Sequence, residues 1–205
     1  MNLTLEILLL LATLPLIYHS LRSVGGEQTY IFWSAGLVFG VTREYTIVFL
    51  AGLYSYQDFQ LVLFEFPIIY LVLWSNFSYL ARVWTNHLLG REYDTAQAWD
   101  YHQPIIFLVL VCISFVLETS FAQYQMIHWD VDSARPLWEG TPLLAPFAWG
   151  FSGSLFLKGM KLMGKSAGKQ LYMRVWNTSL IQPVLVLILM GLLLVINTLI
   201  VLVFS

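Results

Sequence analysis

Long apolar stretches, separated by short polar segments, dominate the chain. A helix needs about 20 residues to cross a hydrocarbon core of roughly 30 Å, and several stretches reach that length. They are continuous and Leu-rich, and they lack the alternation of apolar and polar positions that a membrane β-barrel requires. The pattern predicts an all-α membrane helix bundle of about six spans, over residues 3–19, 28–53, 59–82, 104–127, 137–160 and 180–204.

The composition also indicates an integral membrane protein. Hydrophobic residues make up 59% of the chain and charged residues 11%, whereas a soluble domain carries about 25% charged residues. The mean hydropathy is +0.72. No basic residue precedes the first apolar run, so we interpret that run as a helix rather than a secretory signal. The net charge is −2, and nothing in the sequence favours binding to nucleic acid.

Basic residues are distributed unequally between the two faces of the predicted bundle. The richer face should be cytoplasmic by the positive-inside rule. Both termini and two short connectors, 54–58 and 128–136, are then expected outside a prokaryotic plasma membrane. Arg135 is the only basic residue expected on that outer side, and Arg43 lies inside a span. The predicted cytoplasmic set is Arg22, Arg82, Arg91, Lys158, Lys161, Lys165, Lys169 and Arg174.

Two parts of the chain match each other at a spacing of 74 or 75 residues. An even number of crossings separates them, so this is a parallel repeat of helix pairs, related by an axis along the membrane normal. The pairs 74 apart are Glu44 with Glu118, Asp58 with Asp132, Leu63 with Leu137 and Glu65 with Glu139. The pairs 75 apart are Pro67 with Pro142 and Trp74 with Trp149.

The repeat divides a single membrane domain, residues 1–205, into five segments. These are a first span and loop (1–27), repeat one (28–82), a cytoplasmic interfacial loop (83–103), repeat two (104–160), and a basic loop with the last span (161–205).

Each repeat places a glutamate, Glu44 or Glu118, within a predicted span. Ionisable groups at membrane depth are costly and usually functional. Burial disfavours the ionised form of a carboxyl group, so either glutamate could be protonated and donate a proton. The alternative is structural, with Glu44 pairing with the adjacent Arg43 or with a partner across the bundle.

Prolines and tryptophans recur beside these acids. Pro67 and Pro142 are predicted to interrupt the third and fifth spans and thereby to open a cavity or shape the packing. Trp74 and Trp149 lie too deep for the aromatic belt at the membrane surface. Their rings could hold a polyene or stabilise a cation, or they could simply fill the core.

The second outer connector contains His128, Asp130 and Asp132. These could ligate a divalent metal only with further ligands. The first connector has Tyr54 and Tyr56 instead, so we predict no metal site.

The segment 136–149 reads PLWEGTPLLAPFAW. Together with the preceding Glu118 and its aromatic connector, it resembles carotenoid biosynthesis integral membrane proteins, the family that includes the carotenoid hydratases. The first repeat resembles the same pattern more loosely, through Glu44, the connector tyrosines, Pro67 and Trp74.

The resemblance implies hydration of the terminal alkene of a linear carotenoid, without a redox cofactor. Glu118 would be the general acid, Glu44 its counterpart in the other repeat, and Asp130 or Asp132 would orient the water. Trp149 and Trp129 would face the tertiary cation. The substrate-binding residues implied are Trp149, Trp74, Trp129, Tyr124, Tyr54, Tyr56, Pro142 and Pro67.

Two other functional classes remain open on the sequence. The chain could be a non-catalytic subunit of a larger membrane complex that binds lipid, quinone or pigment. It could also be a small transporter in which the glutamates couple to protons. The partners expected are membrane lipids, a polyene or isoprenoid ligand, and in the subunit hypothesis other membrane subunits.

Overall fold

The computed structural model describes residues 3–63, 65–93, 101–130, 137–138, 141–142, 144–164 and 170–204. Most of these residues are helical. The helices are α1 (Leu3–Leu11), α2 (Thr13–Val24), α3 (Gly26–Tyr45), α4 (Ile68–Leu89), α5 (His102–Gln123), α6 (Leu144–Gly164) and α7 (Leu171–Phe204). A π-helical turn, Thr46–Leu50, extends α3. The short strands are β1 (Tyr54–Tyr56), β2 (Val62–Leu63), β3 (Phe66–Pro67), β4 (Ile127–Trp129), β5 (Leu137–Trp138) and β6 (Thr141–Pro142).

The prediction of a mainly helical, membrane-type chain is confirmed. Within the described residues, three helical stretches are long and apolar enough to cross a membrane: Glu6–Val24, His102–Gln123 and Leu171–Ile200. Their side chains agree with an apolar environment outside the protein, because large hydrophobic residues are exposed on all three. Examples are Leu14, Val116 and Ile188, each more than half exposed.

The third and fifth predicted spans begin too early. Val62–Leu63 and Phe66–Pro67 pair antiparallel as the hairpin β2–β3, and helix α4 begins only at Ile68. Leu137–Trp138 and Thr141–Pro142 likewise pair as the hairpin β5–β6 before α6 begins at Leu144. Each strand pair is followed directly in the sequence by the apolar run of the next helix, so the composition of the whole stretch does not separate the two.

The prediction that Pro67 and Pro142 kink helices is therefore wrong. Pro67 ends β3 and caps the start of α4 with extended backbone angles, φ −60° and ψ 125°. Pro142 ends β6, two residues before α6. Proline lacks the N–H that a helix interior needs, so both residues stand where the chain turns from a hairpin into a helix.

Another proline, Pro15, lies at the break in the first predicted span. Helix α1 ends at Leu11, and α2 begins at Thr13 after a turn at Ala12. A proline ring clashes with the carbonyl four residues earlier, which is that of Leu11. The helix is interrupted at that carbonyl.

Helices α3 and α4 pack closely through glycines. An added Cβ at Gly36 would meet the side chain of Ser75, and one at Gly40 would lie 2.5 Å from the backbone oxygen of Leu71. Helix α3 also contacts α7, while α5 packs mainly against α6. The two halves of the chain are joined at one end by β1 and β4, which pair antiparallel with Ser55 opposite His128.

Candidate functional site

The carboxylate of Glu44 lies at the end of α3 and is surrounded by donors. Its Oε1 accepts hydrogen bonds from Arg43 Nη1 at 2.7 Å and from Trp74 Nε1 at 2.9 Å. Its Oε2 accepts the hydroxyls of Tyr54 and Tyr56. A carboxylate offers about four lone-pair positions, so these four donors saturate it. Because Glu44 is 0% exposed, its carboxyl group is fully buried and fully hydrogen-bonded.

Glu118 is equally buried but much less satisfied. Its side chain is 2% exposed, and Oε1 accepts the Trp149 indole N–H at 2.6 Å. Its Oε2 has no hydrogen-bond partner among the described residues. The Thr141 hydroxyl donates to the Glu118 backbone oxygen at 3.1 Å and holds β6 against α5. One carboxyl oxygen of Glu118 therefore remains available for chemistry.

The two tryptophans join the glutamates into one cluster. Their rings stack with centroids 4.4 Å apart and planes 32° apart. The guanidinium carbon of Arg43 lies 4.3 Å from the Trp74 ring centroid and 5.9 Å from that of Trp149. Arginine over an aromatic face is a favourable cation–π arrangement. A cation therefore already occupies the aromatic surface that the sequence suggested for a substrate cation.

The tyrosines of the first connector stay protonated beside Glu44. Burial is the main cause that raises the pKa of both Tyr54 and Tyr56 well above the usual value of 10, and the negative charge of Glu44 is the second cause. They therefore act as hydrogen-bond donors at neutral pH. Tyr70 lies beside them, with its ring centroid 4.8 Å from that of Tyr56. The buried Tyr70 hydroxyl has no hydrogen-bond partner within the described parts of the chain.

The remaining predicted site residues do not all join this cluster. Trp129 does, because it is 7% exposed and its ring centroid lies 4.7 Å from that of Tyr54. Asp130 is exposed directly after β4, and its backbone N–H donates to Leu53 O at 2.9 Å. Tyr124 is 76% exposed at the end of α5, so it does not share the burial of this cluster, and its place in the binding site stays a prediction. Asp132 lies outside the described residues.

A metal-binding arrangement is not found in the part of the chain that the structure describes. No group of three or more His, Cys, Asp and Glu side chains is close enough there to hold an ion. His128 is exposed on β4, opposite Ser55 of β1.

Glu6 is a buried acid whose role the sequence did not predict. It is 0% exposed, and its two carboxylate oxygens accept the backbone N–H groups of Gln60 and Leu61, each at 2.9 Å. Glu6 therefore anchors the connector between β1 and β2 to the first helix. A sequence signal did exist, since Glu6 is the only charged residue in the first predicted span.

Comparison with protein-family models found no matching family, and comparison with curated proteins and with solved structures found no similar protein or fold.

Proposed function

We propose that this chain is a membrane-embedded protein that hydrates the terminal alkene of a linear polyene, with Glu118 as the proton donor. The observation that carries the proposal is the inequality of the two buried carboxyl groups. Glu44 is saturated by four donors, whereas Glu118 keeps one buried oxygen that has no partner among the described residues. A carboxyl group in apolar surroundings with a free oxygen is suited to carry and donate a proton.

The proposed reaction balances without a cofactor. The protonated Glu118 gives its proton to the less substituted alkene carbon, and the π electrons form the new C–H bond. The other carbon becomes a tertiary cation, to which the oxygen of a water molecule adds. The oxonium formed then loses a proton, which restores the carboxylic acid of Glu118. The net change is the addition of one water molecule across the double bond.

Three other side chains have supporting roles in this proposal. The Trp149 indole N–H, 2.6 Å from Oε1, orients the carboxyl group of Glu118. Trp129 supplies an aromatic surface for the cation, because the face of Trp74 is taken by Arg43. Asp130 is exposed at the same end of the molecule and is the described carboxylate that could orient the incoming water.

The decisive experiment is expression in cells that accumulate a linear carotenoid. We expect a hydroxylated product, detected by chromatography and mass, and we expect Glu118→Gln to abolish it because the amide cannot donate the proton. Glu65→Gln is the matched control, since Glu65 is an exposed carboxylate and its loss should leave the product unchanged.

Unchanged pigment with normal membrane insertion would contradict the hydratase proposal. That result would favour the other class of function, a non-catalytic membrane subunit in which the saturated Glu44 cluster is purely structural. The same classes are separated by the absorption spectrum and extracted-ligand mass of the purified protein.

We also propose that the chain crosses a prokaryotic plasma membrane six times, with both termini outside, and that residues 28–82 and 104–160 are related by an axis along the membrane normal. In a two-fold arrangement, equivalent elements meet each other. In support, Trp74 stacks on Trp149, and β1 pairs antiparallel with β4. The Glu44–Trp74 and Glu118–Trp149 hydrogen bonds are likewise equivalent.

A further inference from the structure

A small cavity of about 40 Å³ lies between the π-helical turn, α6 and α7. Most of its wall is apolar, as at Ile47, Ala148 and Leu193. Arg43 and Trp129 also line it. Glu118 does not belong to this wall, so the cavity is separate from the proposed proton donor. The π-helical turn that borders the cavity supports a functional role for it, since π-helical segments are frequent at functional sites.

Three polar side chains line this wall, Arg43, Trp129 and Asn197, and the first two share an unusual property. Arg43 is 3% exposed and Trp129 is 7% exposed. The guanidinium Nε–H of Arg43 and the indole Nε1–H of Trp129 are both fully buried. Neither Arg43 Nε nor Trp129 Nε1 has a hydrogen-bond partner among the described residues. Buried polar groups without partners are rare in folded proteins and call for an explanation.

The chemistry of these two groups defines what could satisfy them. Arginine Nε–H and indole Nε1–H are donors only and cannot accept a hydrogen bond. Their partner must therefore be an acceptor, such as a carbonyl or hydroxyl oxygen. The charge of Arg43 is already balanced by Glu44, at 2.7 Å. A neutral oxygen fits the site better than a carboxylate or phosphate, because a second anion would be buried without a counterion.

The size and position of the cavity limit the ligand further. One water molecule needs at least about 10–15 Å³ of such volume, so 40 Å³ holds a few waters or the end group of a longer molecule. Helix α7 forms one wall through Met190 and Leu193, while its neighbouring Leu192 and Val195 are more than half exposed. One helix therefore separates the cavity from the surface where lipid would lie.

We propose that this cavity binds the end group of an apolar, lipid-soluble molecule that carries a neutral carbonyl or hydroxyl oxygen, held by Arg43 Nε–H and Trp129 Nε1–H. The apolar wall receives the carbon atoms next to that oxygen. This site shares Trp129 with the proposed hydration, but it uses neither Glu118 nor a proton transfer, so its ligand binding can be measured separately.

The test uses geranylacetone, an isoprenoid ketone with a ¹³C-labelled carbonyl, and protein in lipid nanodiscs. We expect saturable binding, a lowered carbonyl stretching frequency in isotope-edited infrared spectra, and clearly weaker binding of the hydrocarbon myrcene. Trp129→Phe keeps the ring but removes the donor. One lost hydrogen bond should weaken binding about three- to tenfold and reverse part of the frequency shift.

Trp33→Phe is the matched control. Trp33 of α3 also has a buried indole N–H without a partner among the described residues, but it lies outside the cavity wall. We expect it to leave ketone binding unchanged. Ala148→Phe should abolish binding by filling the cavity, and this variant does not alter either donor.

Several results would overturn the proposal. The first two are equal binding of ketone and hydrocarbon, and a carbonyl band that does not shift on binding. The third is a loss of ketone binding in Trp33→Phe as large as that in Trp129→Phe. The fourth is no probe binding at all, which is expected if only water fills the cavity. Glu118→Gln should retain ketone binding. A failed hydration assay with intact ketone binding would therefore reject the proposed function alone, and the converse result would reject only this site.

Discussion

Two buried glutamates that lie 74 positions apart in the sequence have different chemical surroundings. Glu44 accepts hydrogen bonds from Arg43, Trp74 and two connector tyrosines. Removing any one of these residues leaves the remaining polar groups of the cluster buried with one hydrogen bond fewer. Glu118 is held by Trp149 alone in the described structure. At the scale of single residues, Glu44 is therefore fully hydrogen-bonded, whereas Glu118 keeps one buried oxygen without a partner among the described residues.

Exchanging each glutamate for glutamine should separate these properties. Glu44→Gln leaves the guanidinium of Arg43 buried without its anion, and breaking a buried ion pair costs about 3–5 kcal/mol. We expect a large fall in the free energy of unfolding in detergent. Glu118→Gln should cost about 1 kcal/mol, since only one hydrogen bond changes. Equal stability of the two variants would contradict the structural role of Glu44.

Helix packing depends on close approach at a few small residues. Gly40 lets α3 lie against the backbone of α4, where a Cβ would come within 2.5 Å of Leu71 O. Backbone atoms cannot move away by changing rotamer as a flexible side chain can. This contact therefore sets the distance between the helices that carry Glu44 and Trp74. The 2.9 Å hydrogen bond between those residues depends on the same spacing.

Gly40→Ala should therefore destabilise the protein by about 1–3 kcal/mol, the usual cost of overpacking. Gly191→Ala in α7 is the control, because nothing lies within 4 Å of its added Cβ. Alanine is the better helix former by about 1 kcal/mol, so that variant should be as stable as the native chain or slightly more stable. Unfolding in detergent measures both, and a neutral Gly40→Ala would show that α3 and α4 can move apart.

The whole molecule has an apolar exterior and a polar interior cluster. Exposed side chains such as Leu108, Leu187 and Leu199 cover α5 and α7, whereas Glu44, Glu118 and Arg43 are buried. Such a distribution is stable where the surrounding solvent is lipid. The proposed orientation follows from the positive-inside rule and places the β1–β4 pair outside.

Labelling of single cysteines at the two ends of α5 tests that orientation. With Cys112→Ser to remove the native thiol, Tyr124→Cys should react with a membrane-impermeant maleimide in intact cells. Tyr101→Cys should react only after permeabilisation. Both tyrosines are highly exposed, 76% and 72%, so accessibility within the protein does not bias the comparison. The opposite pattern would invert the topology, and labelling of both in intact cells would mean that α5 does not cross the membrane.

Much of the candidate site was predictable from the sequence. The matched spacing of Glu44, Trp74, Glu118 and Trp149 indicated related positions, and the structure places all four in one cluster. The hairpins β2–β3 and β5–β6 were not predictable, because strands of two residues carry no periodic signal. The prolines that begin α4 and α6 were consequently interpreted as kinks.

By itself, the sequence determined that the chain is mainly helical, that some of its helices are apolar enough to cross a membrane, and that its rare acids lie among apolar residues. These properties depend on local composition and on helix length. Only the tertiary structure decided that, within its described residues, Glu44 is saturated while one oxygen of Glu118 has no partner. It alone also decided that Arg43 and Trp129 border a cavity with N–H groups that no described residue accepts. Hydrogen-bond satisfaction depends on distances of about 3 Å between residues far apart in the chain, and no spacing along one helix encodes those distances.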